Sequence, residues 1–403
     1  MIVADARFID FNIMATRMES IILTTSSAIT EADLDPGFDP WDGIAKLRRD
    51  KNAVILAHYY QDSEIQDLAD YVGDSLDLSR VAAATDADMI VFCGVRFMAE
   101  VAKILSPNKK VVLPDADAGC SLEEACPPNA FAEFRAAHPD HLAITYINCS
   151  ASVKALSDII VTSSNAEYII NQIPKDQPVL FSPDKHLGSY LARKTGREML
   201  LWEGTCIVHD RFSARELVRL KTQHPAAKVA AHPECHDGIL GQADHIGSTR
   251  SILEYVLASP DCEFIIATER HLIHQMEKAA PDKIFLTAPG TDGSCNCADC
   301  PFMELNTLEK LYLAMVNGTP RIELNEGLRQ RALAPLEKML EMSPPANPSS
   351  RPRPAWLPPP APPLHPAHPP PSPTSPPAAH WQHRSCPPPQ RRPSSPQRHS
   401  RSL

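Results

Sequence analysis

The chain has 403 residues, a hydrophobic content of 43% and a formal charge of −10 at pH 7 with histidine neutral. That length allows two to four domains at roughly 100–200 residues each, and the acidic balance excludes a chain-wide nucleic-acid binder. The first thirty residues are broken by Asp5, Arg7, Asp10, Arg17 and Glu19, and no apolar stretch reaches the ~18 residues of a membrane helix. Neither a signal peptide nor a membrane span is expected, and the reading is a cytoplasmic protein.

Residues 1–40 show no clear periodicity and read as a loose extension. From there the chain alternates short β-rich runs with helical stretches, the pattern of an α/β architecture with parallel sheets. Ala53–Ala57, Met89–Phe92, Lys110–Leu113, Ile159–Thr162, Pro178–Phe181 and Phe264–Ala267 suit strands buried on both faces. Helical spacing follows many of them, as in Phe97–Leu105. Residues 344–403 are dominated by Pro, Ser, Arg and His, with no acidic residue after Glu341, and read as a disordered Pro-rich tail.

The middle repeats itself. One strand ends in Ala57-His58-Tyr59-Tyr60, another in Tyr146-Ile147-Asn148, and a third in His232-Pro233-Glu234; His58 to Tyr146 spans 88 residues and Tyr146 to His232 spans 86. Gly73-Asp74-Ser75, Thr162-Ser163-Ser164 and Gly247-Ser248-Thr249 recur with the same 88 and 86 spacing, each leading into a helical stretch. A hydroxyl at such a turn caps the helix by default; three in register point to a shared anion-binding role at helix N-termini. The last strand of each repeat precedes a cysteine: Cys120, Cys206 and Cys300, separated by 86 and 94 residues. The repeat divides the chain into αβα units at 41–133, 134–221 and 222–343, the third carrying closing C-terminal helices. Ligands of open parallel sheets bind beyond the carboxyl ends of the strands, so three units facing one axis would bring three cysteines, three polar strand ends and three hydroxyl turns to one centre.

Eleven cysteines without export signals suggest reduced thiols available for metal or catalysis. Cys93, Cys149, Cys235 and Cys262 sit in or beside apolar segments and read as small buried hydrophobes, with Cys126 an inert spare thiol. Three dispersed thiolates suit zinc with a fourth ligand, or a [4Fe–4S] cluster with one iron left open as a Lewis acid. The surrounding hydroxyls, His and Glu favour the catalytic site over a structural zinc scaffold with the tail as an interaction arm. Cys295-Asn296-Cys297-Ala298-Asp299-Cys300 has CxCxxC spacing, unlike the CxxxCxxC of radical enzymes.

Taken together, Ala57-His58-Tyr59-Tyr60-Gln61, Gly73-Asp74-Ser75-Leu76, Ala118-Gly119-Cys120-Ser121-Leu122, Gly204-Thr205-Cys206-Ile207-Val208-His209, His232-Pro233-Glu234-Cys235 and Cys300-Pro301-Phe302-Met303, with Asn306-Thr307-Leu308, resemble the bacterial quinolinate synthase family over about residues 40–342. The resemblance implies three similar αβα domains around a pseudo-threefold axis. It implies condensation of iminoaspartate (iminosuccinate) with dihydroxyacetone phosphate to quinolinate, releasing phosphate and water, in NAD biosynthesis. It also implies one [4Fe–4S] cluster per chain on Cys120, Cys206 and Cys300 with one open iron. His58, Ser75, Ser163, Ser248 and Thr249 then bind substrate carboxylate and phosphate oxygens, and Tyr146 and Asn148 lie beside the open iron. His232 and Glu234 form a binding and acid–base pair, joined by Tyr60 and His209. An L-aspartate oxidase or dehydrogenase is the implied source of the imine, with no nucleic-acid or membrane partner. The family often shows CxxCxxC near its last ligand, so Cys295 and Cys297 depart from it. The Pro-rich tail is also foreign to it; an altered reading frame at the end of the gene would produce such a tail. An iron–sulfur hydro-lyase acting on another hydroxy acid is the alternative that shares the same chemistry.

Overall fold

The computed structural model describes residues 22–24, 29–35, 37–291 and 298–344. Cys295, Cys297 and the Pro-rich tail lie outside them. The first sheet is formed by β1 (Ile22–Thr24), β2 (Ala53–His58), β3 (Tyr71–Gly73), β4 (Met89–Cys93) and β5 (Lys110–Val112). The second holds β6 (Leu142–Tyr146), β7 (Ile159–Val161), β8 (Val179–Ser182) and β9 (Leu200–Leu201), and the third β10 (Lys228–Ala231), β11 (His245–Ile246), β12 (Glu263–Ala267) and β13 (Ile284–Thr287). A last strand, β14 (Arg321–Glu323), returns to the first sheet.

The fold is α/β, and one parallel strand order occurs three times: β3-β2-β4-β5, β7-β6-β8-β9 and β11-β10-β12-β13. The register is continuous, as in Ala53–Ala57 against Met89–Cys93, or Lys228–Ala231 against Phe264–Ala267. The central strands are buried along nearly their whole length because helices cover both faces. They are accordingly near-continuous Val/Ile/Ala runs rather than alternating ones.

Two features depart from the sequence expectation. The stretch read as a loose extension supplies β1, which pairs antiparallel with β14, and β14 pairs antiparallel with β5. The first sheet therefore has six strands and a mixed edge. The closing helices Leu308–Asn317 and Glu326–Met342 follow the third sheet in the chain but pack on the first and second. Leu308, Leu311, Ala314 and Met315 fill one face of the first sheet with Ile55, Val91 and Ile44. Leu328, Ala332, Leu336 and Met339 join a core shared by the first two sheets, alongside Val54, Ile90, Ile144 and Ile160.

Local signals set the boundaries. Asp39 caps Pro40–Asp50, with Pro at the first helical position where its missing N–H costs nothing. Gly318 ends Leu308–Asn317 in the left-handed region at φ 69. Cys93, Cys126, Cys149 and Cys235 are free and buried, as small core residues are. Cys262 is the exception, being half-buried and disulfide-bonded. Among the described residues no helix is long and apolar enough to cross a membrane.

Phe264 is fully buried in the third sheet and stacks on Phe285 with ring centroids 5.9 Å apart. Phe264→Ala should cost ~3–5 kcal/mol through lost burial and the cavity left behind. Tyr168→Ala, at a 52% exposed position, should change stability by no more than ~0.5 kcal/mol. Denaturant titration of the two variants checks the pair.

Candidate active site

The carboxyl ends of the three sheets meet at one buried cavity. Its walls include His58 and Tyr60 after β2, Tyr146 and Asn148 after β6, and His232 and Glu234 after β10. Ser75, Ser163 and Thr249 enter from the turns after β3, β7 and β11, and Cys120, Cys206 and Cys300 from the loops after β5, β9 and β13. All but one of the residues expected at the site are thus brought together. Ser248 alone does not line the cavity: its hydroxyl accepts the Ser251 N–H and caps Thr249–Ala258.

That detail shows how these turns present a hydroxyl to the cavity. Capping was the default role for their hydroxyls, yet a neighbour takes it over. Asp74 accepts the Leu76 and Asp77 N–H groups, which leaves Ser75 free at the first helical position. Ser248 does the same for Thr249. In the second turn the Asn165 side chain accepts the Thr162 N–H at 2.6 Å, and Ser163 Oγ is left to meet His232 Nε2 at 3.2 Å.

A buried relay runs through the centre. Tyr146 donates its hydroxyl to Glu234 Oε1 at 2.6 Å, and His209 Nδ1 lies 3.0 Å from Glu234 Oε2. His209 Nε2 meets Thr268 Oγ1 at 2.9 Å, and Thr268 in turn contacts Tyr60 Oη at 2.7 Å. Tyr60 Oη also reaches Thr249 Oγ1 at 2.9 Å. Burial pushes the Glu234 carboxyl up, but the neighbouring His209 and His232 and the hydrogen bonds from His209 and Tyr146 outweigh it. They hold the group ionised below its usual range. Burial, reinforced by the Glu234 charge, keeps the Tyr146 and Tyr60 phenols protonated far above theirs. His232 accepts the Glu234 N–H on Nδ1, so Nε2 carries the proton that faces Ser163. His58 likewise accepts the Tyr60 N–H on Nδ1 at 3.2 Å, which leaves its Nε2–H to the cavity.

Thr268 and Asp184 escaped the sequence reading. Thr268 follows β12, so the rule that polar groups gather at strand ends would have found it. Asp184 is wholly buried, with Oδ1 accepting the Leu187 N–H at 2.6 Å and Oδ2 without a partner among the described residues. Burial and then the Glu234 charge raise it well above the carboxylate range. Its backbone bridges Gly204, and a Cβ at Gly204 would collide with the Pro183 carbonyl. That close approach brings Cys206 to the cavity.

The three cysteines fit a metal cluster. Burial raises every one of the thiols, Cys300 to about 12, and the Cys120 and Cys206 thiols are raised further by neighbouring cysteines. Backbone N–H groups of Leu122 and Glu123, of His209, and of Phe302 and Met303 point at the respective sulfurs and favour thiolates. A metal bound among the three sulfurs would displace the thiol protons and offset the repulsion between the resulting thiolates. Cys206, His209 and Glu234 also offer ligand atoms within 4.8 Å of one another.

The quinolinate synthetase A protein family model matches residues 42–341. The chain belongs to the quinolinate synthetase A family. It is 58% identical over 305 residues to the quinolinate synthase of Microcystis aeruginosa, covering 76% of this chain and 95% of the relative. It is 59% identical over 300 residues to that of a Synechococcus strain, covering 74% and 94%. A Nostoc quinolinate synthase is 56% identical over 325 residues, 80% of this chain and all of the relative. The chain is therefore an enzyme, and the matched span takes in every cavity residue named above.

The His58 imidazole sits at about 3 instead of 6.5, because burial outweighs the opposing pull of Glu234. Between those values the unfolded chain holds a proton that the folded chain lacks, so stability rises with pH. His58 contributes nothing to this slope above about 6.5 and destabilises by up to about 1.4 kcal/mol per pH unit below it. His58→Gln should unfold with a shallower acid dependence in denaturant titrations at stepped pH. Identical slopes would show that His58 is not held neutral.

Proposed function

We propose that this enzyme condenses iminoaspartate with dihydroxyacetone phosphate to quinolinate, releasing phosphate and two molecules of water, for cytoplasmic NAD biosynthesis. The observation that carries this reading is the lining of the cavity. Three cysteines, three hydroxyls, two neutral imidazoles and an ionised carboxylate share it.

Cys120, Cys206 and Cys300 would hold a [4Fe–4S] cluster by three of its irons. When bound, that cluster would supply an open iron, which acts as a Lewis acid toward a substrate oxygen. The chain's own groups supply the rest. Ser75, Ser163 and Thr249, with the Nε2–H groups of His58 and His232, donate hydrogen bonds to carboxylate and phosphate oxygens. Asn148 Oδ1 is buried and has no partner among the described residues, so it accepts from a substrate N–H or O–H. Glu234, ionised and tied to Tyr146 and His209, takes up one proton at a time as the carbon–carbon and carbon–nitrogen bonds form. That proton passes on through Tyr146, which receives it from Glu234 as it gives its own to a leaving hydroxyl, so no phenolate is left. Burial of the relay keeps water from a reactive imine. Because that imine hydrolyses readily, an L-aspartate oxidase or dehydrogenase must supply it.

The proximity of Cys206, His209 and Glu234 favours one other reading, a single zinc ion. Metal analysis separates the two: the cluster predicts iron and sulfide, zinc a colourless protein. Cys120→Ser, Cys206→Ser and Cys300→Ser should each lose the bound iron together with activity, and one that keeps both would remove that residue from the ligand set. Under anaerobic assay with imine generated in place, the cluster-loaded enzyme should form quinolinate. Glu234→Gln should keep its iron while kcat falls ~10²–10⁴-fold, the usual worth of a positioned proton acceptor. Quinolinate made by Glu234→Gln at the unaltered rate would contradict the proton-transfer role, and no product from an iron-loaded enzyme would move the substrate to another hydroxy acid.

A further inference from the structure

Behind the cavity wall, between the first two sheets, lies a set of buried charges that the chemistry above does not use. Glu100 and Lys154 are both 0% exposed and Glu123 is 8% exposed; Arg96 pairs with Glu123, Nε to Oε1, at 3.3 Å. Burying an ion such as the Lys154 ammonium costs several kcal/mol, and burial raises the Glu100 carboxyl to about 8. A well-packed apolar set of the same volume would serve stability as well. The places where these groups end show what they do instead.

Lys154 Nζ donates to the carbonyls of Ile147, at 2.9 Å, and of Cys149. These are the residues on either side of Asn148. Its third direction is closed by the Phe97 ring, 5.3 Å away. Glu100, from the helix Arg96–Leu105 of the first unit, accepts the Ala151 N–H on Oε2 at 2.7 Å. It so anchors the short helix that carries Lys154. Glu123 stands in the turn that begins at Cys120, and the Arg96 N–H is donated to the Ala118 carbonyl, two residues before that cysteine, at 2.7 Å. The helix Arg96–Leu105 thus holds the Asn148 turn through Glu100 and the Cys120 turn through Arg96.

We propose that Lys154 and Glu100 are positioning residues that fix Asn148 against the Cys120 side of the cavity, and so set where the substrate lies relative to the cluster. Neither touches the substrate. Lys154 clamps the backbone on both flanks of Asn148, and Glu100 holds the clamp to the first unit.

The proposal rests on the quinolinate synthase reading, and a double-mutant cycle in the iron-loaded enzyme tests it. Lys154→Met, Asn148→Ala and the pair are compared for kcat/KM, iron content and thermal midpoint. Lys154→Met should lower kcat/KM on the order of 10–100-fold, the range expected when a binding group is displaced by about an ångström, with iron content unchanged. In the Asn148→Ala background the same substitution should cost almost nothing further, because the group it places is gone. Lys154→Met/Glu100→Gln leaves no unpaired buried charge, so it should recover the thermal midpoint without recovering kcat/KM. It also carries the cycle should Lys154→Met alone fail to fold. Additive losses of Lys154→Met and Asn148→Ala would overturn the proposal, as would recovery of kcat/KM along with stability. An inactive but iron-loaded parent enzyme would instead count against the reaction itself.

Discussion

An ionised carboxylate sealed from water holds this active site together. Glu234 survives as an anion in the interior because Tyr146, from the second sheet, and His209, from the loop before the third, both hydrogen-bond to it. A buried charge deprived of one partner is strongly destabilising, so the second and third units cannot separate here without cost. The other seams are polar too. Tyr60 ties the first sheet to Thr249 and Thr268 of the third, and Ser164 of the second unit donates to Asp74 of the first. Arg250 of the third pairs with Asp77 of the first at 2.8 Å. The cavity exists only where all three sheets meet, and the groups that hold them together are the same groups, or their immediate neighbours, that line it.

Parallel strands make this convergence possible. Every strand of a parallel sheet delivers its following loop to the same edge, so one order used three times supplies three sets of similar loops. The antiparallel pair β14 and β1 lies on the far edge of the first sheet, beyond β5, and leaves the loop-bearing ends of β2 and β4 free. Fold and chemistry are thus divided between different parts of the chain: apolar runs build the sheets, and the two or three residues after each run build the site.

Much of this was legible in the sequence because it is local. Buried runs such as Ala53–Ala57 and Phe264–Ala267 became β2 and β12, and the helix expected at Phe97–Leu105 begins one residue earlier. The spacing of His58, Tyr146 and His232, and of the three cysteines, was visible because each sits at a fixed place in its repeat. What could not be read is what depends on distant partners. β1 is three residues long and has strand character only because β14, about 300 residues later, pairs with it. Ser248 and Thr249 are both hydroxyls at one turn, and only the backbone geometry decides which caps the helix and which faces the cavity. Glu100 and Lys154 resemble ordinary helix-surface charges in sequence. Their burial follows from the docking of two units. Cys262 lies beside an apolar strand, and that placement gave no sign of a disulfide.

The central claim is that three thiols from loops after three strands share one cluster with an open iron facing the polar wall. Mössbauer spectroscopy of the anaerobically reconstituted, isotope-enriched enzyme, with and without a substrate-like dicarboxylate, addresses it most directly. The account predicts a [4Fe–4S] signal in which one iron differs from the other three and alone shifts when the ligand is added. Four irons unaffected by ligand, or a protein that takes up zinc and no iron, would contradict it.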